Sequence, residues 1–153
     1  MRSPMERRAA RVLLVDPDSR VLLFYCKDPG RPSAPGRWMT PGGGALPSEN
    51  LQTAGKREVL EETGLVVELH EAPVYSRRTQ FDFDGVRYDQ FEEYFLVRVP
   101  RSPVSTDRWD ASERRSIRRY RWWPLPDLLS TRQIVEPQDL GMWLGRIITG
   151  GLE

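Results

Sequence analysis

The sequence predicts an α/β domain, with helices layered against a mixed sheet. Two observations carry this. Short strand-like segments with period-two alternation are closed by tight turn signals, and helical stretches interrupt them in mid-chain and again at the end. The length, 153 residues, suits one domain spanning 1–153.

The elements follow in order. Ala10 to Val15 and Arg20 to Tyr25 are apolar runs separated by Asp16-Pro17-Asp18-Ser19, and they read as a hairpin. Asp28 to Arg37 carries three prolines and two glycines and reads as a loop, followed by a short strand at Trp38 to Thr40. Pro41-Gly42-Gly43-Gly44 then breaks regular structure. Ser48 or Asn50 caps a helix running to Thr63, which Gly64 ends. Leu65 to Leu69 resumes as a strand. Arg77 to Phe83 and Val86 to Val99 flank Asp84-Gly85, a hairpin turn. Along the second arm Phe91, Glu93, Phe95, Val97 and Val99 share one face. Pro100 to Arg115 reads as a polar loop and Tyr120 to Trp123 as the last strand. Pro126 to Ser130 and Glu136 to Ile148 read as helices, the second amphipathic through Leu140, Trp143, Leu144 and Ile147 or Ile148.

Composition excludes several classes of function. With 39% hydrophobic residues the chain is too apolar for disorder. No apolar run approaches the roughly 20 residues of a membrane span, and the basic start lacks the h-region of a signal peptide. A cytoplasmic protein without membrane contact is therefore expected. The net charge of +1 makes no case for nucleic-acid binding. The single cysteine, Cys26, forbids an internal disulfide, and with a single histidine, His70, a Cys/His zinc site cannot be assembled. A metal site must use oxygen ligands, which favours Mg²⁺ or Mn²⁺.

The chemistry concentrates between Gly43 and Leu65. Glu58, Glu61 and Glu62 are three and four residues apart and project from one side of the predicted helix. Like charges so placed repel, and only Arg57 lies nearby to offset them. A divalent cation resolves the repulsion, can neutralise charge developing on a diphosphate and can acidify an attacking water. Gly42, Gly43 and Gly44 let the backbone approach a ligand closely.

Gly43, Glu49, Arg57-Glu58-Val59, Glu61-Glu62 and Gly64-Leu65 stand in the register G-x5-E-x7-R-E-U-x-E-E-x-G-U, where U is apolar. This resembles the complete box of the Nudix hydrolase family (MutT-like). The box covers 23 of the 153 residues, and nine of them are specified. The resemblance implies an α/β/α sandwich with a mixed central sheet. It also implies a pyrophosphohydrolase that splits a diphosphate bond in a nucleoside diphosphate linked to another moiety. By the same resemblance Glu58, Glu61 and Glu62 hold the metal, with Arg57, Glu58 and Glu61 as the catalytic set. Arg57 orients Glu58, Gly43 and Gly44 form the phosphate loop, and Glu49 ties that loop down. Two departures are small: Ser48 stands where many members have glycine, and Gly55 where alanine is common, at about 1 kcal/mol of helix stability.

Outside the box, Glu93 and Glu113 are candidates for the general base. Glu93 falls among apolar neighbours, and a slip of one residue would put Glu92 in its place. Trp38, just before Pro41-Gly42-Gly43, is the aromatic best placed to stack on a base, although packing alone also accounts for it. Arg77 can meet a substrate phosphate or line a solvated strand edge. The partner expected is a small nucleotide-type molecule. A homodimer fits the family's habit.

Substrate identity stays open. Phe81 stands where ADP-ribose-type members carry proline, and Tyr75 is too close to the box for the diadenosine-polyphosphate pattern. Two other classes compete. A Nudix-fold nucleotide-binding or regulatory module without hydrolysis is weakened because no box carboxylate is lost. An isoprenoid-diphosphate isomerase is opposed by the single Cys26 and single His70.

Overall fold

The computed structural model describes residues 3–150. The ends of the expected 1–153 domain therefore lie outside the described residues. Eight strands form one curled mixed sheet: β1 Met5–Val15, β2 Arg20–Cys26, β3 Arg37–Met39, β4 Gly42–Gly44, β5 Tyr75–Phe83, β6 Val86–Arg98, β7 Ile117–Pro124 and β8 Val135–Glu136. The helices are α1 Leu51–Thr63, α2 Ala111–Ser116, α3 Leu125–Ser130 and α4 Leu140–Gly145, the last continued by a π-turn at Arg146–Gly150. Among the described residues no helix is long and apolar enough to cross a membrane.

The predicted hairpin between β1 and β2 forms, but the strands pair only where they meet, Val15 opposite Val21. Asp16 shapes the turn, its Oδ1 accepting from Asp18 N–H and Arg20 N–H. Beyond it the strands diverge. β1 runs parallel to β6 along its whole length and takes β4 antiparallel on its other side. β2 pairs with β7 on one side and β3 on the other, and β3 carries β8. Divergence leaves β1 covered on both faces, which is why Ala9 to Val15 is a continuous buried run rather than an alternating one.

Two cores result. On one face Ala10, Val12 and Leu14 pack with Leu22, Phe24 and Phe95 against Leu51, Ala54 and Val59 of α1. On the other, Leu13, Val15, Val21 and Leu23 meet Trp38, Tyr94 and Trp123 beneath Leu128 of α3 and Leu140 and Leu144 of α4. This is the expected helix–sheet–helix sandwich. Each fully buried side chain of valine or leucine size contributes about 1.5–3 kcal/mol.

Several expectations need correction. Gly42-Gly43-Gly44 does not break regular structure but forms β4, because β1 offers it a partner. Leu65 to Leu69 is not a strand. Val67 and Leu69 are buried while Val66 is 74% exposed, so the alternation is obeyed, but no neighbouring strand supplies hydrogen bonds. The segment before β7 is not all loop. α2 forms over its last part because Asp110 and Glu113 make a reciprocal capping box. Tyr120 to Trp123 belongs to β7 but is not the last strand. Val135 and Glu136 form β8 alongside Trp38 and Met39, and the final helix starts at Leu140. The hairpin at Asp84-Gly85 appears as predicted, both residues with positive φ (50° and 80°).

Candidate active site

The site is built on α1. Asn50 caps the helix, its Oδ1 accepting from Thr53 N–H at 2.8 Å, and Gly64 closes it in the left-handed conformation, φ 79°. Gly55 lies where α1 crosses the sheet. A Cβ there would meet Leu69 Cδ1 at 2.7 Å and Val12 Cγ2 at 3.2 Å, so the glycine trades helix propensity for close approach to β1.

α1 turns Glu58 and Glu62 inward. Glu62 is 8% exposed, and its Oε1 accepts from Gly42 N–H at 2.7 Å. Glu58 lies against Gly43, where a Cβ would come within 2.8 Å of its Oε1. The third carboxylate comes from α2. Trp109 Nε1–H donates to Glu62 O at 2.8 Å and Ser105 N–H to Thr63 O at 2.9 Å, which docks the preceding loop on the end of α1 and delivers Glu113. One oxygen each from Glu58, Glu62 and Glu113 lies within 4.8 Å of the others.

Glu61 is placed differently from its two box partners. It sits at the rim, its side chain 38% exposed, accepting from Arg57 Nη1–H at 3.1 Å. Arg57 is the hub of this rim. It donates to both oxygens of Glu49, to Glu58 Oε1 at 3.2 Å and to the Gly44 carbonyl. Glu49 accepts in turn from Leu46 N–H at 3.0 Å, so the loop between β4 and α1 is tied to the helix.

The electrostatics divide the acids into two groups. Burial, reinforced by Glu61, pushes Glu58 up to about 7. Burial beside Glu58 pushes Glu62 well above the usual carboxylate range, and burial raises Glu113 as well. The Arg57 hydrogen bonds hold Glu49 down at about 2. Glu49 is thus a permanent anion locked to Arg57, whereas the inner three share a desolvated space that favours neutral acids or a cation between them. The donor set is oxygen only, which fits a hard divalent ion and no soft one.

The remaining candidates are dispersed. Trp38 is 3% exposed, packed edge-on to Trp123, with its Nε1–H on Gln133. It belongs to the core because β3 is covered by α3 and α4. Arg77 is engaged by Glu92 at 2.7 Å and Glu136 at 3.4 Å. Glu93 is half-buried on the face of Phe91 and Phe95 and is not among the three clustered carboxylates. The more deeply buried acid on β6 is its neighbour Glu92, 2% exposed, because both faces of this sheet are covered and no register slip is needed. Gly43 and Gly44 serve by their missing side chains: one makes room for Glu58, the other for Arg7. Only Gly42 of the three takes a positive φ, and its amide is spent on Glu62.

Sequence reasoning passed over Arg11, and it weighed Glu92 only as the residue that a register slip would exchange with Glu93. Arg11 interrupts an otherwise apolar run, and that interruption was the available signal. It is 8% exposed, with Nη1–H groups on the Thr40 and Gly42 carbonyls.

A family model described as the NUDIX domain matches residues 5–144. Among solved structures, a MutT protein from Methanosarcina mazei Go1 superposes with TM-score 0.67 at 18% identity, covering 97% of this chain and 99% of that one. A MutT NUDIX hydrolase from Burkholderia pseudomallei gives 0.64 at 20% identity, with 94% and 98% covered. A C. elegans Ap4A hydrolase in a binary complex gives 0.62 at 17% identity, again with 94% and 98% covered. At these identities the likeness is one of fold.

Proposed function

The chain belongs to the Nudix family, and from that premise we propose that it is a divalent-metal-dependent pyrophosphohydrolase acting on a nucleoside diphosphate linked to another moiety. The convergence of Glu58, Glu62 and Glu113 within 4.8 Å, from two helices, carries this. One buried and two half-buried carboxylates crowded together with few counter-charges are an arrangement that costs folding stability unless a cation uses it.

Glu58 and Glu62 would hold Mg²⁺, or Mn²⁺ in its place, with Glu61 reaching the shell from the rim when Arg57 shares it. Bound there, the ion neutralises charge on the diphosphate and acidifies the attacking water. Arg57 and Glu49 fix the loop so that Gly43 keeps its distance from Glu58. Glu113, on the opposite wall from α1, takes the proton of the attacking water on its carboxylate. The water oxygen bonds to phosphorus as the anhydride P–O bond breaks, and the leaving phosphate departs with the bridging oxygen. Glu113's raised pKa suits this task better than that of an ordinary surface acid.

The test is turnover of a nucleotide panel with Mg²⁺: nucleoside triphosphates, oxidised nucleotides, ADP-ribose, nucleotide sugars and dinucleoside polyphosphates. Glu58→Gln and Glu62→Gln run alongside. Phosphate-bearing products that vanish in both variants are expected. Binding of a nucleotide with no product in any arm would make the chain a binding module instead.

A further inference from the structure

Three successive carbonyls of the segment leading into β4 are held by one short stretch of β1. Arg11 Nη1–H donates to Thr40 O at 3.0 Å and to Gly42 O at 3.3 Å, and Val12 N–H donates to Pro41 O at 2.9 Å. With its carbonyls pinned, the segment points the Gly42 amide at Glu62 Oε1, 2.7 Å away. There is no slack here, since a Cβ on Gly42 would fall 2.1 Å from Ala10 O. Glu62 receives no other hydrogen bond to its carboxylate from the backbone among the described residues.

A guanidinium this deeply buried is an expensive way to hold two carbonyls, because an amide or hydroxyl would be desolvated at far lower cost. Its charge is matched by Glu92 Oε2 at 3.7 Å, and Glu92 is itself held by Arg77 Nε at 2.7 Å, Tyr94 Oη at 3.0 Å and Gln90. Contacts thus run from the Arg77 side of the sheet through Glu92 and Arg11 to Gly42, and end on a carboxylate of the inner cluster.

We propose that Arg11 is the positioning residue for Glu62. It acts through the Thr40–Gly42 backbone, with Glu92 as the buried counter-ion that holds Arg11 in its grip. Arg11 does not act as a catalytic group, since its side chain is only 10% exposed and its polar atoms are taken up by Glu92 and by the Thr40 and Gly42 carbonyls. This rests on the function proposed above for what Glu62 does, but not for how Glu62 is placed.

The test therefore has one readout without metal and one with it. Arg11→Met, Arg11→Lys, Glu92→Gln and a core control, Leu128→Val, are compared in the folded, metal-free protein by amide hydrogen exchange at Gly42. Mn²⁺ is then titrated directly. Loss of a buried charge-assisted hydrogen bond predicts a fall in Gly42 protection of about tenfold or more in both Arg11 variants. Mn²⁺ affinity should fall about tenfold to a hundredfold, as when the partner that orients a metal ligand is removed. Glu92→Gln should show the same pattern more weakly, and Leu128→Val should lower Tm without either effect. Unchanged Gly42 protection in Arg11→Met and Arg11→Lys would overturn the proposal, whatever the metal does. Lost protection in a protein whose wild type binds no Mn²⁺ would leave Arg11's role standing and remove the metal-dependent function instead.

Discussion

Arg57 grips Glu49 by both prongs of its fork, Nε to Oε2 at 2.9 Å and Nη2 to Oε1 at 2.8 Å, eight residues apart on either side of the start of α1. The pair fastens the loop to the helix, and the second face of the same guanidinium reaches Glu58 and Glu61. Lysine cannot reproduce this fork. Arg57→Lys is expected to lower kcat by about 10- to 100-fold with little change in Tm. Glu49→Gln keeps an acceptor but loses the charge and should cost less. Steady-state kinetics with thermal melts check both, and Arg57→Lys at wild-type kcat would deny Arg57 its positioning role.

Glu113 occupies two roles that substitution separates. As the third residue of α2 its side chain reaches back and accepts from the Asp110 N–H at 2.9 Å, completing the capping box. Glutamine serves a capping box as well as glutamate does. Glu113→Gln should therefore melt like the wild type yet lose most of its turnover, about 10²-fold if the carboxylate is the base. Glu113→Ala should lose turnover and about 1 kcal/mol of stability together. Full activity in Glu113→Gln would reduce this residue to a cap.

The glycines of β4 separate in the same way. Gly42→Ala puts a Cβ against the Ala10 carbonyl at φ 139°, a backbone clash that should destabilise the fold by about 3 kcal/mol or more. Gly43→Ala meets only the end of the Glu58 side chain. It should melt near the wild type but bind Mn²⁺ about tenfold more weakly, because Glu58 must turn away. Isothermal titration beside thermal melts distinguishes the two. Equal Mn²⁺ affinity in Gly43→Ala would mean that Glu58 is not a ligand.

The raised acids make metal-free stability depend on pH. Glu58 is lifted from the ordinary 4.5 to about 7, so the folded state holds its proton more tightly than the unfolded chain. That contribution is fully present below about pH 4.5 and is lost as pH rises through about 7. Glu62, also raised by burial, acts in the same direction. With chelator present, Tm should fall across this window. With saturating Mg²⁺ the fall should be reduced or reversed, and binding below about pH 7 should release protons. Melts with and without chelator, with titrations in buffers of different ionisation enthalpy, measure both. A Tm that rises through the window in chelator would contradict the burial of these carboxylates.

The box residues and the helix that carries them were legible in the sequence because their information is local. Asn50, Gly64 and the three- and four-residue spacing of the glutamates act within a few turns of one helix. The hairpin at Asp84-Gly85 was legible for the same reason. What joined Glu113 to Glu58 and Glu62 was not. It depends on Trp109 and Ser105 docking on the end of α1, contacts of long sequence separation that leave no periodic trace.

The same limit explains Trp38, Glu92 and Arg11. A residue's type states what it can bond to, but only the packing of both faces of the sheet decides which partner it meets. Covering the second face buried Trp38 in the core, and it turned Glu92 into a counter-ion for Arg11. By itself the sequence determined the fold class and the oxygen donors that one helix carries, since helix geometry and donor type are local properties. The tertiary structure alone decided which carboxylates converge and what holds them in place, since desolvation and hydrogen-bond satisfaction exist only once distant strands and helices have met.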